Sequence, residues 1–157
     1  MKINLIAVGK KMPAWVEQGS QEYQKRLPRN FDLQIIEVPL AKRTKASSDV
    51  ARLCETEGKA LLNAIAPHQY VIALDVKGKS LSTESMASRM KSLMEEGRDV
   101  AMLVGGPDGL SPQCLEKADE IWSLSALTMP HTIVRIVVAE QIYRVWSVLS
   151  GHPYHRE

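Results

Sequence analysis

The chain has 157 residues, of which 45% are hydrophobic and 24% charged, and this predicts one globular domain over residues 1–157. The net charge is only +2, which argues against a protein that coats nucleic acid nonspecifically. No apolar run approaches the roughly 20 residues of a membrane span, and the apolar stretch 3–8 is too short for the core of a signal peptide. We therefore expect a cytoplasmic protein without a membrane anchor.

The elements alternate between short β-rich runs and longer helical runs. In chain order we predict a strand at 3–8, a helix at 13–27, a strand at 31–38, a helix at 48–65, a strand at 70–76, a helix at 82–96, a strand at 100–104, a short helix after 112, a strand at 120–124 and a helix at 132–149. This alternation predicts an α/β fold, in which a mostly parallel sheet is flanked by helices.

A glycine-rich turn, LVGGPDGLSP from residue 103, follows the fourth predicted strand. It is not a phosphate-binding P-loop, because Gly109 is followed by Leu110 and Ser111 instead of Lys and Ser or Thr. It is not a dinucleotide fingerprint either, because its glycines lack the G-x-G-x-x-G spacing. The turn still lets a backbone approach a ligand closely, so a ligand without phosphate is one interpretation and a merely structural turn is the other.

Three loops are candidates for one ligand site. They follow Leu74 and Asp75, Val104, and Leu124, each at the carboxyl end of a predicted strand. Ligands of open α/β sheets bind at these ends. If the three strands are neighbours, their exits form one pocket.

Four stretches carry a resemblance that runs from one end of the chain to the other. They are INLIAVGKKMPAWVEQGSQEYQKRLP, LVGGPDGLS, WSLSALTMPHTIVRIVVAEQIYRVWS and the ending HPYHRE. They resemble the RlmH family of small bacterial SPOUT-class methyltransferases, which modify a pseudouridine in large-subunit (23S) ribosomal RNA.

The resemblance implies a C-terminal trefoil knot, a homodimer, and methyl transfer from S-adenosyl-L-methionine to N3 of the pseudouridine. It implies no metal, and the spacing of His152 and His155 lacks a third ligand. The cofactor residues implied are Leu74, Gly105, Leu124, Ser125, Ala126, Leu127, Thr128 and Met129.

Loss of the proton from N3 needs an acceptor, and few polar groups follow the cofactor run. His131 is interpreted equally well as a general base and as a structural or RNA-facing residue. Arg135 either contacts an RNA phosphate or pairs with Glu140, and the i, i+5 pairing is preferred because a lone carboxylate on an apolar helix is costly.

The tail 151–157 is either a frayed terminus or a functional segment, and the resemblance favours function. Tyr154, His155 and Arg156 are then expected to close the acceptor site, on this chain's pocket or the partner's. Together with His131 and Arg135 they complete the predicted catalytic set.

Basic residues concentrate in the N-terminal third, where residues 1–50 hold nine Lys and Arg against five Asp and Glu. Five of them occupy the loops after the first two strands, namely Lys10, Lys11, Lys42, Arg43 and Lys45. They are expected either to meet RNA backbone or to form a solvated surface. Because the small chain has no added RNA domain, we expect recognition of the assembled ribosome.

The helix at 132–149 is apolar on most faces, which predicts a subunit interface independently of the resemblance. Two alternatives remain for the function. One is a ribosome-binding module without turnover, and the other is a methyltransferase acting on another RNA or a protein.

Overall fold

The computed structural model describes residues 1–44 and 49–156, and in them the predicted alternation of strands and helices is confirmed. The elements are β1 Lys2–Val8, α1 Ala14–Gln24, β2 Asp32–Val38, α2 Val50–Asn63, β3 Tyr70–Ser80, α3 Thr83–Glu95, β4 Val100–Val104, α4 Pro112–Lys117, β5 Glu120–Ser123, α5 His131–Ser150 and a 3-10 helix Pro153–Arg156. The predicted helix start at Ser48 lies outside the described residues.

The five strands form one sheet in the order β2-β1-β4-β3-β5, and every pairing is parallel. All five carboxyl ends therefore lie along one edge. The exits of β4, β3 and β5 are neighbours at that edge, which is the arrangement that a pocket built from the three loops requires. The threading of a knot stays a prediction from the resemblance.

Alternation along β1 shows how the sheet is covered on both faces. Ile3, Leu5 and Ala7 belong to one buried cluster, with side chains from α3 and α5. Ile6 and Val8 belong to a second cluster, with side chains from α2 and α4. Since successive side chains of a strand point to opposite faces, the sheet is a central layer between two helical layers.

Local sequence signals set the helix boundaries. The side chains of Asp49, Ser82 and Ser111 each accept a hydrogen bond from a backbone N–H of the first turn, at the starts of α2, α3 and α4. Gly151 takes a left-handed conformation with φ 74° and ends α5, as glycine commonly does at this position. The Ser82 cap was predicted, whereas α1 ends three residues before its predicted limit.

Candidate cofactor pocket and active site

A cavity of about 260 Å³ lies at the carboxyl edge of β4, β3 and β5. The three loops predicted to form one pocket therefore lie side by side. The lining residues are Leu74, Asp75, Val76, Val104, Gly105, Gly106, Pro107, Gly109, Leu110, Leu124, Ser125, Leu127, Thr128, Met129, His131 and Val134. All the residues predicted to hold the cofactor line this cavity except Ala126, which is exposed in the same loop.

The β3 side of the pocket differs from the prediction, which ended the strand at Val76. Leu74 and Lys79 both pair with Trp122 of β5, so the residues between them bulge out of the sheet. Gly78 returns the chain past β5 so closely that a Cβ there would lie 2.7 Å from the carbonyl carbon of Trp122. The bulge was missed because its signal, a lone glycine after an apolar run, is also that of a simple strand end.

Backbone crowding explains the glycines of the turn after β4. A Cβ on Gly105 would lie 2.5 Å from the carbonyl carbon of Gly109, and one on Gly106 would lie 2.9 Å from Oε1 of Glu57. Gly109 has φ +83°, and its N–H donates to the carbonyl of Gly106 over 3.0 Å. The turn is thus tightly closed, and its backbone forms one wall of the cavity.

The loop between β5 and α5 forms the opposite wall and is shaped by its own serines. The Ser123 hydroxyl donates to the carbonyl of Ser125, and the Ser125 hydroxyl accepts from the N–H of Leu127, both over 3.0 Å. Leu127 is the most exposed large apolar side chain described, at 72%. An apolar side chain held out over a pocket can cover an aromatic ligand face.

His131, the first residue of α5, is half-buried and lines the cavity. Its Nδ1 atom is enclosed and has no hydrogen-bond partner among the described residues. Burial, helped by the positive charge of Arg135 and opposed by Glu57, lowers the pKa of His131. The imidazole is therefore neutral at neutral pH and can accept a proton.

Arg135 is 2% exposed and is held by internal partners. Its Nη1 donates to Glu37 over 2.5 Å, and its Nη2 donates to the carbonyls of Val8 and Gly9 over 3.3 and 2.7 Å. These contacts fix the chain where β1 and β2 end, next to His131. A side chain so enclosed presents little surface to an RNA phosphate.

The preferred pairing of Arg135 with Glu140 was wrong. Glu140 instead accepts from Arg144 at i+4, over 2.8 and 2.5 Å, and from the Tyr154 hydroxyl over 3.0 Å. The reason is helical geometry, because residues five apart lie about 140° apart around the axis whereas residues four apart share a face.

The tail folds back along the C-terminal half of α5. The ring of Tyr154 lies 4.6 Å from that of Tyr143, and Nδ1 of His155 lies 2.9 Å from Oγ of Ser147, while Arg156 is exposed. Burial, and then hydrogen bonding with Glu140, raises the pKa of Tyr154. The Tyr154 hydroxyl reaches Glu140, roughly 14 Å along α5 from His131, and His155 lies at Ser147, roughly 24 Å along it. Neither side chain lines the chain's own cavity.

The basic loops project from the same edge as the pocket. Lys10, Lys11 and Lys42 are exposed there, as the prediction of an RNA-facing surface requires. Arg43 differs, because it pairs with Glu57 and Asp108 over 2.9 and 2.8 Å. Lys45 lies outside the described residues.

Residues 1–44 and 49–156 contain no group of three or more His, Cys, Asp or Glu placed to hold a metal ion. In the same ranges no helix is both long and apolar enough to cross a bilayer.

A parallel sheet with helices on both faces and a glycine-walled pocket at its carboxyl edge defines the class of open α/β proteins that bind a small ligand at the strand ends. A family model described as predicted SPOUT methyltransferase matches residues 1–155, and the chain belongs to this family. Methyl donation by S-adenosylmethionine is what this family implies.

Two relatives match along their whole length and that of this chain. The ribosomal RNA large subunit methyltransferase H of Hahella chejuensis is 52% identical over 157 residues, and that of Thioalkalivibrio sulfidiphilus is 53% identical, with 100% of both chains covered in each comparison.

Solved structures similar to this one support the fold alone. A probable methyltransferase from Bordetella pertussis Tohama I has a TM-score of 0.58 at 15% identity, covering 91% of this chain and 93% of that chain. TrmJ from Z. mobilis ZM4 has a TM-score of 0.55 at 16% identity, covering 90% of this chain and 69% of that chain.

Proposed function

We propose that the protein transfers a methyl group from S-adenosyl-L-methionine to N3 of a pseudouridine in 23S ribosomal RNA, acting on the assembled ribosome in the bacterial cytoplasm. The observation that carries the proposal is the glycine-walled pocket, in a chain whose full-length relatives are named large-subunit ribosomal RNA methyltransferases. Both the reaction and the substrate class rest on this combination.

The chemistry of the lining fits this donor. Among the described residues that line the cavity there is no Lys or Arg, and Asp75 is the one carboxylate. Leu74, Leu124 and Leu127 supply apolar surface for an adenine ring, and the backbone of Gly105 can approach its edge. A sulfonium cation with no phosphate needs no basic clamp, which accounts for the missing P-loop lysine.

S-Adenosylmethionine supplies an activated methyl group when it is bound. The chain then has to hold the acceptor nitrogen in line with that group and remove its proton. We assign the proton to His131, which lines the cavity as a neutral imidazole. Arg135 holds the neighbouring backbone of Gly9 and contributes positive charge beside the imidazole.

We further propose that the working unit is a homodimer in which Tyr154, His155 and Arg156 serve the partner's pocket. Tyr154 and His155 contact α5 at Glu140 and Ser147, roughly 14 and 24 Å along the helix from His131, and neither lines the chain's own pocket. A second copy is the proposed way to bring the tail to a pocket. The surface of α5 supports a subunit contact, because Ile133, Ile136 and other apolar side chains remain half-exposed. Sedimentation should give a species near twice the 17.5 kDa of one chain.

The test is transfer of labelled methyl from S-adenosylmethionine to ribosomes from a strain lacking the gene, beside naked ribosomal RNA. Label on 23S RNA of intact ribosomes, at a pseudouridine that becomes resistant to N3-directed carbodiimide, is the expected result. Binding of S-adenosylhomocysteine without label on either acceptor would overturn the substrate assignment. No binding at all would overturn the pocket assignment.

A further inference from the structure

A buried carboxylate lies directly behind the glycine turn. Glu57 of α2 is 2% exposed. Its Oε2 accepts from the N–H of Ala41 over 3.0 Å and from Nη1 of Arg43 over 2.9 Å, and its Oε1 accepts from Nη2 of Arg43 over 3.5 Å. A carboxylate removed from water needs such partners, so Arg43 is tied firmly to the helix that backs the turn.

The same guanidinium also reaches the turn itself. Nη2 and Nε of Arg43 donate to Oδ2 of Asp108 over 2.8 and 3.3 Å. Asp108 stands between Pro107 and Gly109, which both line the cavity, whereas Asp108 is not one of the lining residues. Its side chain is thus used to hold the turn from behind, while its neighbours form the pocket wall.

Close packing joins helix α2 to the turn on either side of this contact. A Cβ on Gly106 would lie 2.9 Å from Oε1 of Glu57, and a Cβ on Gly58 would lie 2.2 Å from Oγ of Ser111. The Cys54 thiol donates to the carbonyl of Asp108 over 3.6 Å. The wall of the cavity therefore rests against α2 through one buried charge network and direct backbone approach.

We propose that Arg43 and Glu57 are positioning residues for the methyl donor, which hold the turn Gly105–Gly109 through Asp108 in the shape that binds it. The proposal rests on the proposed function, because it takes the cavity to be the donor site. Arginine suits the role because its planar fork can contact both carboxylates at once, which a lysine ammonium cannot. Arg43 then acts within the protein and is not one of the RNA-binding cations of this edge.

The role predicts a specific kinetic pattern. If the turn is no longer held in its binding shape, part of the binding free energy is used to order it. We expect the KM for S-adenosylmethionine and the Kd of S-adenosylhomocysteine to rise about tenfold, while kcat at saturating donor changes by less than about threefold.

The experiment measures S-adenosylhomocysteine binding by calorimetry, and methyl transfer kinetics, for the full chain with R43K, R43Q or D108N. R43K keeps a cation for Glu57 but removes the contact with Asp108. Its affinity for S-adenosylhomocysteine should therefore match that of D108N. The double variant R43K/D108N should bind no more weakly than either single variant, because both remove the same interaction. D108N leaves the buried Arg43–Glu57 pair intact, and it therefore keeps the test valid if R43Q does not fold.

The matched controls are R89Q and E120Q, which break another partly exposed Arg–carboxylate pair, with side chains 34% and 26% exposed. Glu120 begins β5, and neither Glu120 nor Arg89 lines the pocket. These variants should keep the wild-type Kd even where they lower the melting temperature.

Three outcomes are distinguishable. A rise in Kd confined to R43K, R43Q and D108N supports the proposal. Wild-type affinity in D108N and R43K, or an equal rise in the controls, would overturn it while leaving the proposed function standing. Failure of the wild-type chain to bind S-adenosylhomocysteine would overturn both.

Discussion

The two ends of helix α5 have opposite relations to the pocket. At its start His131 lines the cavity, and Arg135 is enclosed one turn further on. At its end Tyr154 and His155 form packed contacts with the helix itself and line no part of the cavity. One chain therefore has the cavity at the start of α5, while Tyr154 and His155 contact the helix at Glu140 and Ser147, roughly 14 and 24 Å along it from His131. This difference is the reason for proposing an active site that draws on two copies of the chain.

Removing the tail should give the largest effect. Deletion of residues 152–157 should lower methyl transfer at least about 1000-fold, because it removes the groups that we propose close the acceptor site. The affinity for S-adenosylhomocysteine should stay within about twofold, because the tail does not touch its own pocket. Labelled transfer and calorimetry on the same preparation measure both quantities. Unchanged turnover would show that the tail is only structural.

A substitution at the start of α5 should have the next largest effect on methyl transfer. His131→Gln should lower kcat about 100-fold or more, since it removes the proton acceptor while preserving a polar side chain of similar length. The pKa of His131 lies below its usual value, so the wild-type rate should be flat around neutral pH and fall only as pH drops and the imidazole gains its proton.

The pH profile supplies the control for this variant. In His131→Gln the acid limb assigned to the imidazole should disappear, while donor binding persists. A normal rate with an unaltered acid limb would place the base elsewhere.

Arg135 connects the pocket end of α5 to the ends of β1 and β2. Replacing it should therefore lower the free energy of unfolding. Arg135→Gln removes a charged donor from two carbonyls and from Glu37, which is one-third exposed. The free energy of unfolding in urea should fall by about 2–3 kcal/mol, discounted from the fully buried case for that exposure. Lys91→Gln on the exposed face of α3 should leave it unchanged, and equal values for both would contradict the assignment.

The smallest effect is expected at the exposed cations beside the pocket. Lys10→Glu or Lys42→Glu should weaken ribosome binding a few-fold and reduce the slope of log affinity against log salt by about one for each RNA phosphate that is no longer neutralised. Lys91→Glu, on α3, reverses a charge that is also exposed and serves as the control. If the slope does not change, the surface does not meet RNA backbone.

Most of the fold could be predicted because each element carries its own local signal. Strand β4 is a continuous apolar run, and Ser82 stands where a helix cap is expected. The spacing of the glycines also distinguished this turn from the phosphate-binding motifs. These features depend on residues close together in the sequence, so the alternation and the grouping of three loops followed from local patterns alone.

What the sequence did not predict depends on contacts between distant residues. The partner of Arg135 is Glu37, which lies 98 positions away, and nothing in the local pattern distinguishes it from other strand carboxylates. The contact of Arg43 with Asp108 spans 65 positions. Both arginines were interpreted as RNA contacts or local pairs. A sequence shows their charge, but it does not show which distant residue the fold brings next to them.

The most direct test mixes two inactive variants, the chain lacking 152–157 and the His131→Gln chain, after subunit exchange. Mixed dimers contain one pocket with an intact His131 on the truncated chain, which receives the intact tail of the other chain. If the tail of one chain completes the pocket of the other, activity should return to about a quarter of wild type. Half the dimers are then mixed, and each mixed dimer has one working site out of two. No recovery, despite dimers that form and bind S-adenosylhomocysteine, would contradict an active site shared between two copies.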